Sequence, residues 1–155
     1  MAPQDLNRLL EESLMLLYSE LLAGGVVLER DISPGLPYVM GDRIQLQQVV
    51  LNLVRNACEA VRHLPSERRG VRVSTGIHQN RVFVAVRDHG DGIGGNIEQI
   101  FQPYFTTKSQ GLGLGLSICR SIIQAHHGWL WAENHPQGGA VFHMELPIGE
   151  GGGAG

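Results

Sequence analysis

Residues 52–60 read NLVRNACEA, a stretch that combines apolar residues with two asparagines four positions apart. Leu, Val and Ala at helical spacing predict a helix with a buried side. Asparagine is a poor residue for a helix interior, because its amide competes for the hydrogen bonds of the backbone. The presence of Asn52 and Asn56 therefore needs an explanation other than helix formation.

The two asparagines belong to a longer polar stripe on the same predicted helix. That helix is expected to begin after an N-cap at Asp42, to run over residues 43–64 and to end before Pro65. Polar residues recur in it at helical steps and so share one face: Gln45, Gln48, Asn52, Asn56, Glu59 and His63. The residues predicted to face the sheet are Leu46, Val49, Val50, Leu53, Ala57, Ala60 and Val61.

The polar stripe allows two interpretations. A solvated helix face is the ordinary one, but such faces usually carry Lys, Glu and Arg, which form helices more readily. Two amides in the middle of the stripe instead favour a bound ligand, for which they supply neutral oxygens and N–H donors. A neutral amide oxygen suits a hard cation such as Mg²⁺, which takes few protein ligands and is shared with phosphates.

The composition excludes several classes of protein. The chain has 155 residues, of which 43% are hydrophobic and 17% charged, and its formal net charge is −3. These values fit one soluble α/β domain with a full core, and the lack of a basic stripe argues against nucleic-acid binding. No apolar run reaches membrane-spanning length, so no membrane contact by this domain is predicted. Cys58 and Cys119 have no C-x-x-C spacing and are predicted to be buried thiols in a reducing compartment.

Periodic and alternating patterns predict the remaining elements. Two further helices are expected, one over residues 5–23 and one that is entered through a glycine-rich segment and ends at Gly128. The segments that resemble strands are residues 26–32, 71–77, 81–88, 129–134 and 138–147. Sequential hairpins, with helices near both ends and in the middle, predict an α+β fold in which a mixed sheet is covered on one face by helices.

Two glycine-rich loops interrupt these elements. DHGDGIG at residues 88–94 directly follows a strand, and GLGLGL at residues 111–116 opens a helix. Neither is G-x-G-x-x-G and no G-x-x-x-x-G-K-[ST] occurs, so a dinucleotide fold is disfavoured and a P-loop is excluded. Either loop alone can be a tight turn, but glycines also let the backbone approach a ligand and aim N–H groups at phosphate. A carboxylate repels phosphate, so Asp88 should face a donor such as an amino group on a base.

Four motifs in this order resemble those of one family, the ATP-binding catalytic domain of sensor histidine kinases. The segments similar to its N box, first glycine box, F box and second glycine box are QLQQVVLNLVRNACEA at 45–60, DHGDGIG at 88–94, IFQPYFTTK at 100–108 and GLGLGLSI at 111–118. The resemblance assigns residues 1–148 to one catalytic and ATP-binding domain and residues 149–155 to a flexible Gly-rich tail. The wording of NACEA and FTTK is similar to the nitrogen-regulation and oxygen-sensing branches.

The resemblance implies a two-layer α/β sandwich of the histidine-kinase ATPase-like, Bergerat type, with a mixed, mainly antiparallel sheet and helices on one face. It implies an enzyme that binds Mg-ATP and donates the γ-phosphoryl group to a histidine on a separate dimerisation and phosphoacceptor domain. That domain and the receiver domain of a response regulator are the partners it implies. The implied location is cytoplasmic, whether or not the full sensor is anchored in a membrane.

The resemblance also implies roles for particular residues. Asn56 would hold Mg²⁺ through its side-chain oxygen, Asn52 would line the phosphate or metal region, and Asp88 would accept a hydrogen bond from the adenine amino group. Lys108 would contact phosphate as a point charge, and with Asn52 and Asn56 it completes the catalytic set. The other implied nucleotide-binding residues are Gly90, Gly92, Ile93 and Gly94 at the adenine, Phe101, Phe105, Thr106 and Thr107 in a short mobile lid, and Gly111, Leu112, Gly113, Leu114, Gly115 and Leu116 around the phosphates.

Two residues depart from the family's pattern. Glu59 stands where many members carry Lys, and a carboxylate there cannot hold a phosphate directly, although it can act through Mg²⁺ or accept a proton. Ala140 stands where the family often has Thr near the adenine. The missing hydroxyl predicts a weaker affinity for the nucleotide.

One position separates kinases from hydrolases in the wider superfamily. Gyrase, the heat-shock chaperone and the mismatch-repair ATPases place Glu one turn before the metal asparagine, where it activates water. This chain has Asn52 there, and an amide cannot act as a general base, so transfer to a protein histidine with little hydrolysis is predicted. The alternatives are an ATP-hydrolysing conformational ATPase and, because of Glu59 and Ala140, a non-catalytic nucleotide-binding module.

The phosphoacceptor histidine is expected outside this chain. None of the 7 histidines lies in a helical segment of the H-E/D-x-x-x-P type, and HMELP at residues 143–147 falls in the last predicted strand. His126 and His127 are interpreted as the polar end of a helix in preference to metal ligands. The chain is therefore predicted to be the catalytic half of a kinase.

Overall fold

The fold is organised around one five-stranded sheet, seen in a computed structural model that describes residues 1–103 and 115–149. Its strands are β2 (Val27–Asp31), β4 (Gly70–His78), β5 (Arg81–Asp88), β6 (Trp129–Asn134) and β7 (Ala140–Pro147). They lie in the order β2-β4-β5-β7-β6, with β2 and β4 parallel and the other neighbours antiparallel. The predicted mixed, mainly antiparallel sheet is confirmed.

Four α-helices accompany this sheet in the described part of the chain. They are α1 (Leu6–Leu16), α2 (Tyr18–Ala23), α3 (Arg43–Val61) and α4 (Gly115–Ala125), and short 3₁₀-helices lie at Ser66–Arg68 and Ile97–Phe101. The sequence predicts one helix over residues 5–23, but Leu17 leaves the helical conformation with φ −91° and ψ 2° and divides it. The leucines at helical spacing are nonetheless all buried: Leu6, Leu9, Leu10, Leu14, Leu17 and Leu21.

A small second sheet pairs β1 (Ala2–Gln4) with β3 (Val39–Gly41) in antiparallel register. Neither strand is among those predicted from the sequence, because each has three residues and the neighbouring prolines and glycines conceal any alternation. The small sheet holds the first residues of the chain beside the start of α3. Gly149, assigned by the sequence to a flexible tail, is buried and its N–H donates to Tyr38 O at 2.8 Å, so the ordered domain includes it.

The packing of α3 on the sheet forms the centre of the core. Asp42 caps the helix, and its side chain accepts a hydrogen bond from Gln45 N–H at 3.0 Å. The apolar side predicted from the sequence is buried, except that Ala60 is half-buried and Val54 joins the core. The residues of β4 and β5 that alternate towards α3 are fully buried as well: Val71, Val73, Val82, Val84 and Val86. No helix of the described residues is both long and apolar enough to cross a bilayer.

His126 joins the end of α4 to the start of α3. The residue is 2% exposed, its Nδ1 donates to Ile122 O at 2.7 Å, and its Nε2 accepts from Asp42 N–H at 3.0 Å. A carbonyl only accepts and a backbone N–H only donates, so these partners fix a neutral ring with its proton on Nδ1. Both histidines directly follow the last residue of α4, as their interpretation as a helix end predicts, but only His127 is exposed and His126 is buried.

We expect His126→Leu to lower the free energy of unfolding by about 1–3 kcal/mol, because Asp42 N–H loses its acceptor at a partly buried position. Urea unfolding measures the change. His127→Asn is the matched control: its φ is +62°, a conformation that asparagine tolerates, so its effect should stay within about 0.5 kcal/mol. Equal stability of His126→Leu and the wild type would show that the bridge between the helices contributes nothing.

Candidate functional site

Asn52 lies beside the first residue of α4. It is half-buried, its Nδ2 donates to Gln48 O at 3.1 Å, and a Cβ added to Gly115 would stand 3.7 Å from its Oδ1. Cys119 of α4 is buried, and burial raises the pKa of its thiol to about 12, although the nearby Asn52 side chain acts in the opposite direction. Both cysteines are free, and only Cys119 is fully buried. The contacts of Asn52 hold its amide at the junction of α3 and α4.

The other end of the same helix face meets the first glycine-rich loop. A Cβ added to Gly90 would stand 2.6 Å from Ala60 O, so only glycine lets the loop pass this closely over α3. Asn52, Asn56 and Ala60 follow each other at intervals of four residues and therefore line one face over about 12 Å. The half-buried Asn56 lies in the middle of this line. The structure thus connects the start of α4 with the glycine loop through the two asparagines.

Asp88 ends β5 as a buried carboxylate. It is 2% exposed, and its Oδ1 accepts from Gly90 N–H at 2.8 Å and from Ala140 N–H at 3.4 Å. Burial raises the pKa of this carboxyl above its ordinary value of 3.8, although the two backbone N–H groups act in the opposite direction. No hydrogen bond from the described residues reaches Oδ2. This oxygen is therefore the one that can accept from a ligand.

Two further contacts fix the loop that follows Asp88. Asn134, at the end of β6, makes both of its hydrogen bonds to Ile93: Oδ1 accepts from the N–H at 2.6 Å and Nδ2 donates to the carbonyl at 2.9 Å. His63 Nε2 lies 2.8 Å from Asp91 Oδ2, with both side chains exposed. Asn134 is not among the site residues predicted from the sequence, because nothing in the pattern of β6 shows that its last side chain reaches the loop.

Phe101 lies in the core and not on the surface of the site. Phe101 is 5% exposed and stands edge-on to Phe142, with 6.3 Å between the ring centres. The guanidinium of Arg120 lies 3.9 Å from the centre of the Phe101 ring. Arg120 also binds Glu98 at 2.7 Å and thereby lowers the pKa of that carboxyl. The structure places Phe101 as an anchor of its 3₁₀-helix, and a ligand contact by it stays a prediction.

The remaining predicted site residues fall into two groups. In the described part of the chain, Gly115 is exposed at the first turn of α4, Leu116 and Ile93 are half-buried against the core, and a Cβ on Gly94 would meet open space. The residues outside the described part are Phe105, Thr106, Thr107, Lys108, Gly111, Leu112, Gly113 and Leu114.

The donor chemistry of the site suits few metal ions. Within residues 1–103 and 115–149, no group of three or more His, Cys, Asp and Glu side chains is placed to hold a metal. A half-buried amide such as that of Asn56 offers one neutral oxygen, which fits Mg²⁺ that is otherwise coordinated by water and phosphate.

The charges at the two ends of the site differ in sign. The N-terminus of a helix carries partial positive charge and favours an anion, and α4 begins beside Asn52. At the other end, the carboxylate of Asp88 repels anions and accepts a hydrogen bond. The arrangement therefore suits an elongated ligand with an anionic end at Asn52 and a hydrogen-bond donor at Asp88.

Comparison with known protein families and sequences gives one consistent result. The family described as "Histidine kinase-, DNA gyrase B-, and HSP90-like ATPase" matches residues 41–150. The chain is 37% identical over 149 residues to the sensor histidine kinase TmoS of Ectopseudomonas mendocina, and 42% identical over 149 residues to the sensor protein FixL of Bradyrhizobium diazoefficiens. The alignments cover 94% and 95% of this chain but only 15% and 29% of those proteins, so the chain spans less than a third of either relative.

A solved structure agrees with the sequence comparisons. The catalytic domain of histidine kinase ThkA superposes with a TM-score of 0.82 at 34% identity, covering 95% of each chain. ThkA has also been solved in complex with response regulator protein TrrA; that structure matches with a TM-score of 0.77 at 31% identity, over 96% of this chain and 42% of the other.

Asp88→Asn tests the cost of burying the carboxylate. Because the pKa of Asp88 is raised on folding, its ionisation opposes folding: stability falls as the pH rises from the ordinary value of 3.8 through the raised one, and is constant above it. The amide oxygen of Asn can still accept from Gly90 N–H. We therefore expect a stability gain over the wild type that grows with pH across this window, measured by urea unfolding at a series of pH values.

The exposed carboxylate of Asp31, which pairs with Arg72, provides the control for this measurement. Asp31→Asn should show no gain in stability with rising pH. A wild-type chain that is more stable than Asp88→Asn at neutral pH would contradict the assigned cost.

Proposed function

The chain belongs to the histidine kinase-, DNA gyrase B- and HSP90-like ATPase family, and we propose that it is the part of a sensor histidine kinase that binds Mg-ATP and donates the γ-phosphoryl group to a protein histidine. Its relatives TmoS and FixL are sensor proteins of this kind. The observation that carries the proposal is the line from the start of α4 through Asn52 and Asn56 to Asp88, which has an anion-favouring end and an acceptor end.

The proposed orientation of the nucleotide follows from these two ends. Asp88 Oδ2 accepts a hydrogen bond from the exocyclic amino group of adenine, while the triphosphate points along α3 towards Gly115. Guanine carries a carbonyl oxygen where adenine has that amino group, and the Asp88 carboxylate would repel this oxygen. The buried Asp88 therefore supports selection of ATP over GTP. Ala140 lacks the threonine hydroxyl that is frequent at this position in the family. Its backbone N–H nevertheless donates to Asp88 and so helps to hold this carboxylate in place.

Asn56 is proposed as the protein ligand of Mg²⁺, through its side-chain oxygen. When bound, the metal neutralises charge on the phosphates, which is the main requirement of phosphoryl transfer. Asn52, one turn earlier, orients the phosphate end with an amide that its contacts to Gln48 and Cys119 hold in place. Lys108 and residues 111–114 of the second glycine-rich loop lie outside the described residues. We propose that they contact the phosphates, as the family resemblance implies.

Transfer to a protein is favoured over hydrolysis by the chemistry at position 52. A conformational ATPase of this family needs a base one turn before the metal ligand, and the amide of Asn52 takes up no proton near neutral pH. The carboxylate of Glu59 lies two turns beyond Asn52, or about 10 Å along the helix, too far to replace it. The acceptor histidine can itself act as the nucleophile, so the domain needs no strong base.

The proposed partners follow from the relatives. A histidine on a dimerisation and phosphoacceptor domain receives the phosphoryl group, and the receiver domain of a response regulator takes it in turn. The likeness to ThkA, solved with response regulator protein TrrA, supports the second partner. Because the reaction draws on cellular ATP, we propose that this domain acts in the cytoplasm.

A transfer assay tests the proposed function directly. The chain is mixed with the dimerisation and phosphoacceptor domain of the same full-length protein and with ATP labelled at the γ-phosphate. We expect acid-labile, base-stable label on the acceptor domain and little release of inorganic phosphate. Tight ATP binding without transfer would overturn the kinase assignment, steady hydrolysis by the chain alone would favour the conformational ATPase, and millimolar or weaker binding of Mg-ATP would favour the non-catalytic module.

Asn56→Ala tests the proposed metal ligand. We expect the variant to bind ATP equally weakly with and without Mg²⁺, because the oxygen that couples the metal to the protein is gone, whereas the wild type should bind more tightly with the metal. Calorimetric titration with ATP in Mg²⁺ or in excess chelator measures the difference. Gln45→Ala removes an exposed side chain from the same stripe and should keep the wild-type dependence. An undiminished effect of Mg²⁺ in Asn56→Ala would exclude the assigned role.

A further inference from the structure

The amide of Asn134 binds one residue of the first glycine-rich loop at two points. Its Oδ1 accepts from Ile93 N–H at 2.6 Å, and its Nδ2 donates to Ile93 O at 2.9 Å. A primary amide carries a donor and an acceptor in one plane and can pair with both groups of a backbone residue, as a neighbouring strand does. β6 is an edge strand, so Asn134 extends the hydrogen bonding of the sheet onto the loop.

The close approach of Asn134 explains the middle glycine of the box. Gly92 has φ +83°, and a Cβ there would stand 2.9 Å from Asn134 Oδ1. That oxygen is itself held by Ile93 N–H, so it cannot move aside without losing a short hydrogen bond. The family resemblance assigns Gly92 to the adenine pocket. The structure adds a second reason for glycine at this position, the space taken by the Asn134 side chain, which does not involve a ligand.

The register of the sheet places Asn134 in one row with Asp88. Asn134 on β6 pairs with Ala140 on β7, and Val141 on β7 pairs with Arg87 on β5. Because β5 and β7 are antiparallel, the residue opposite Ala140 on β5 is Asp88. Two strand spacings separate Asp88 from Asn134, roughly 10 Å. The small side chain of Ala140 lies between them. The loop of residues 90–93 is therefore fixed at one end by Asp88, through Gly90 N–H, and at the other end by Asn134.

We infer that Asn134 is a positioning residue for recognition of the base: by fixing the backbone of Ile93, at the end of the loop away from Asp88, it sets the width of the pocket into which adenine enters. The inference rests on the proposed function, since it assumes that the ligand is ATP. Ile93 is half-buried against the core, and its backbone is held at both N–H and carbonyl, so this end of the loop is fixed without a ligand. The pocket is thereby formed before the base arrives, which lowers the entropy lost on binding.

The requirement at this position is specific to an asparagine side chain. Asp would keep the acceptor for Ile93 N–H but would present a second oxygen to Ile93 O, which repels it. Ser offers a single hydroxyl, and Ala offers neither group. Asn134→Asp therefore removes the hydrogen bond to Ile93 O alone, and Asn134→Ala removes the hydrogen bonds to both Ile93 O and Ile93 N–H.

The test compares ligands that do and do not carry a base. The affinities for Mg-ATP, Mg-GTP and Mg-tripolyphosphate are measured by calorimetry for the wild type and for the two variants. For Asn134→Ala we expect about tenfold weaker binding of ATP, which two lost hydrogen bonds can account for, a smaller preference for ATP over GTP, and unchanged binding of tripolyphosphate. Asn134→Asp should lie between. The transfer rate at saturating ATP should stay within about twofold while KM rises.

Two controls separate a positioning role from a general loss of structure. Glu133→Ala changes the neighbouring residue, which faces the other side of β6 and pairs with His143, and should alter none of these affinities. Amide hydrogen exchange at Ile93 should be slow in the wild type, faster in Asn134→Asp and fastest in Asn134→Ala. This readout needs no ligand and is available even if Asn134→Ala proves too unstable for calorimetry, because Asn134→Asp then supplies the comparison.

The possible failures are distinguishable. A wild-type chain that binds no ATP would overturn the proposed function, whatever the variants do. A wild type that prefers ATP, together with variants that keep both its affinity and its preference, would overturn the inference alone. Equal losses for ATP and tripolyphosphate would also overturn it, because they would show that Asn134 supports the fold as a whole and not the base pocket.

Discussion

The candidate site depends above all on the rotational setting of α3 against the sheet. Fully buried residues such as Leu46, Val50 and Leu53 fix that setting, and each contributes about 1.5–3 kcal/mol by leaving water. A turn of the helix by one residue, about 100°, that moves Asn52 and Asn56 to the buried positions of Leu53 and Ala57 would place their amides in the core, where they would lack partners. The same turn would move Leu46 and Val50 to positions that are only half-buried. The setting that buries the aliphatic residues is thus the same one that presents Asn52 and Asn56 at the border between α3, α4 and the glycine loop.

Glycine is needed at different positions around the site for different physical reasons. Gly90 is required because a side chain would strike the backbone of α3 at Ala60, and Gly139 because a Cβ would stand 2.0 Å from Asp88 O. Gly92 makes room for the amide of Asn134. At Gly94, by contrast, a side chain would meet open space, so the contacts within the described protein do not require glycine there. A glycine box that the sequence presents as one ligand-binding motif is in large part a solution to close packing of the protein against itself.

The two helices that carry the site are joined at both ends of their contact. Asn52 meets α4 at Gly115 and Cys119, and at the far end of α4 His126 accepts a hydrogen bond from the capping residue of α3. The buried imidazole is held as a neutral ring by its two backbone partners. A ligand bound between Asn52 and the first turn of α4 would therefore meet two helices whose relative position is set by packing and hydrogen bonds some distance from the site.

The sequence by itself determined the types of the longer helices and strands, the buried side of α3 and the order of the four motifs, because periodicity and glycine spacing are local properties that the chain displays without folding. It could not predict the small sheet of β1 and β3, whose three-residue strands are too short to alternate, nor the break at Leu17. It placed His126 at a helix end without showing that the ring is buried, and it did not identify Asn134. Both act through partners 84 and 41 residues away along the chain, on Asp42 and Ile93. Which side chain satisfies a distant backbone group is decided by tertiary packing, since the pairing exists only once the strands and helices have been brought into register.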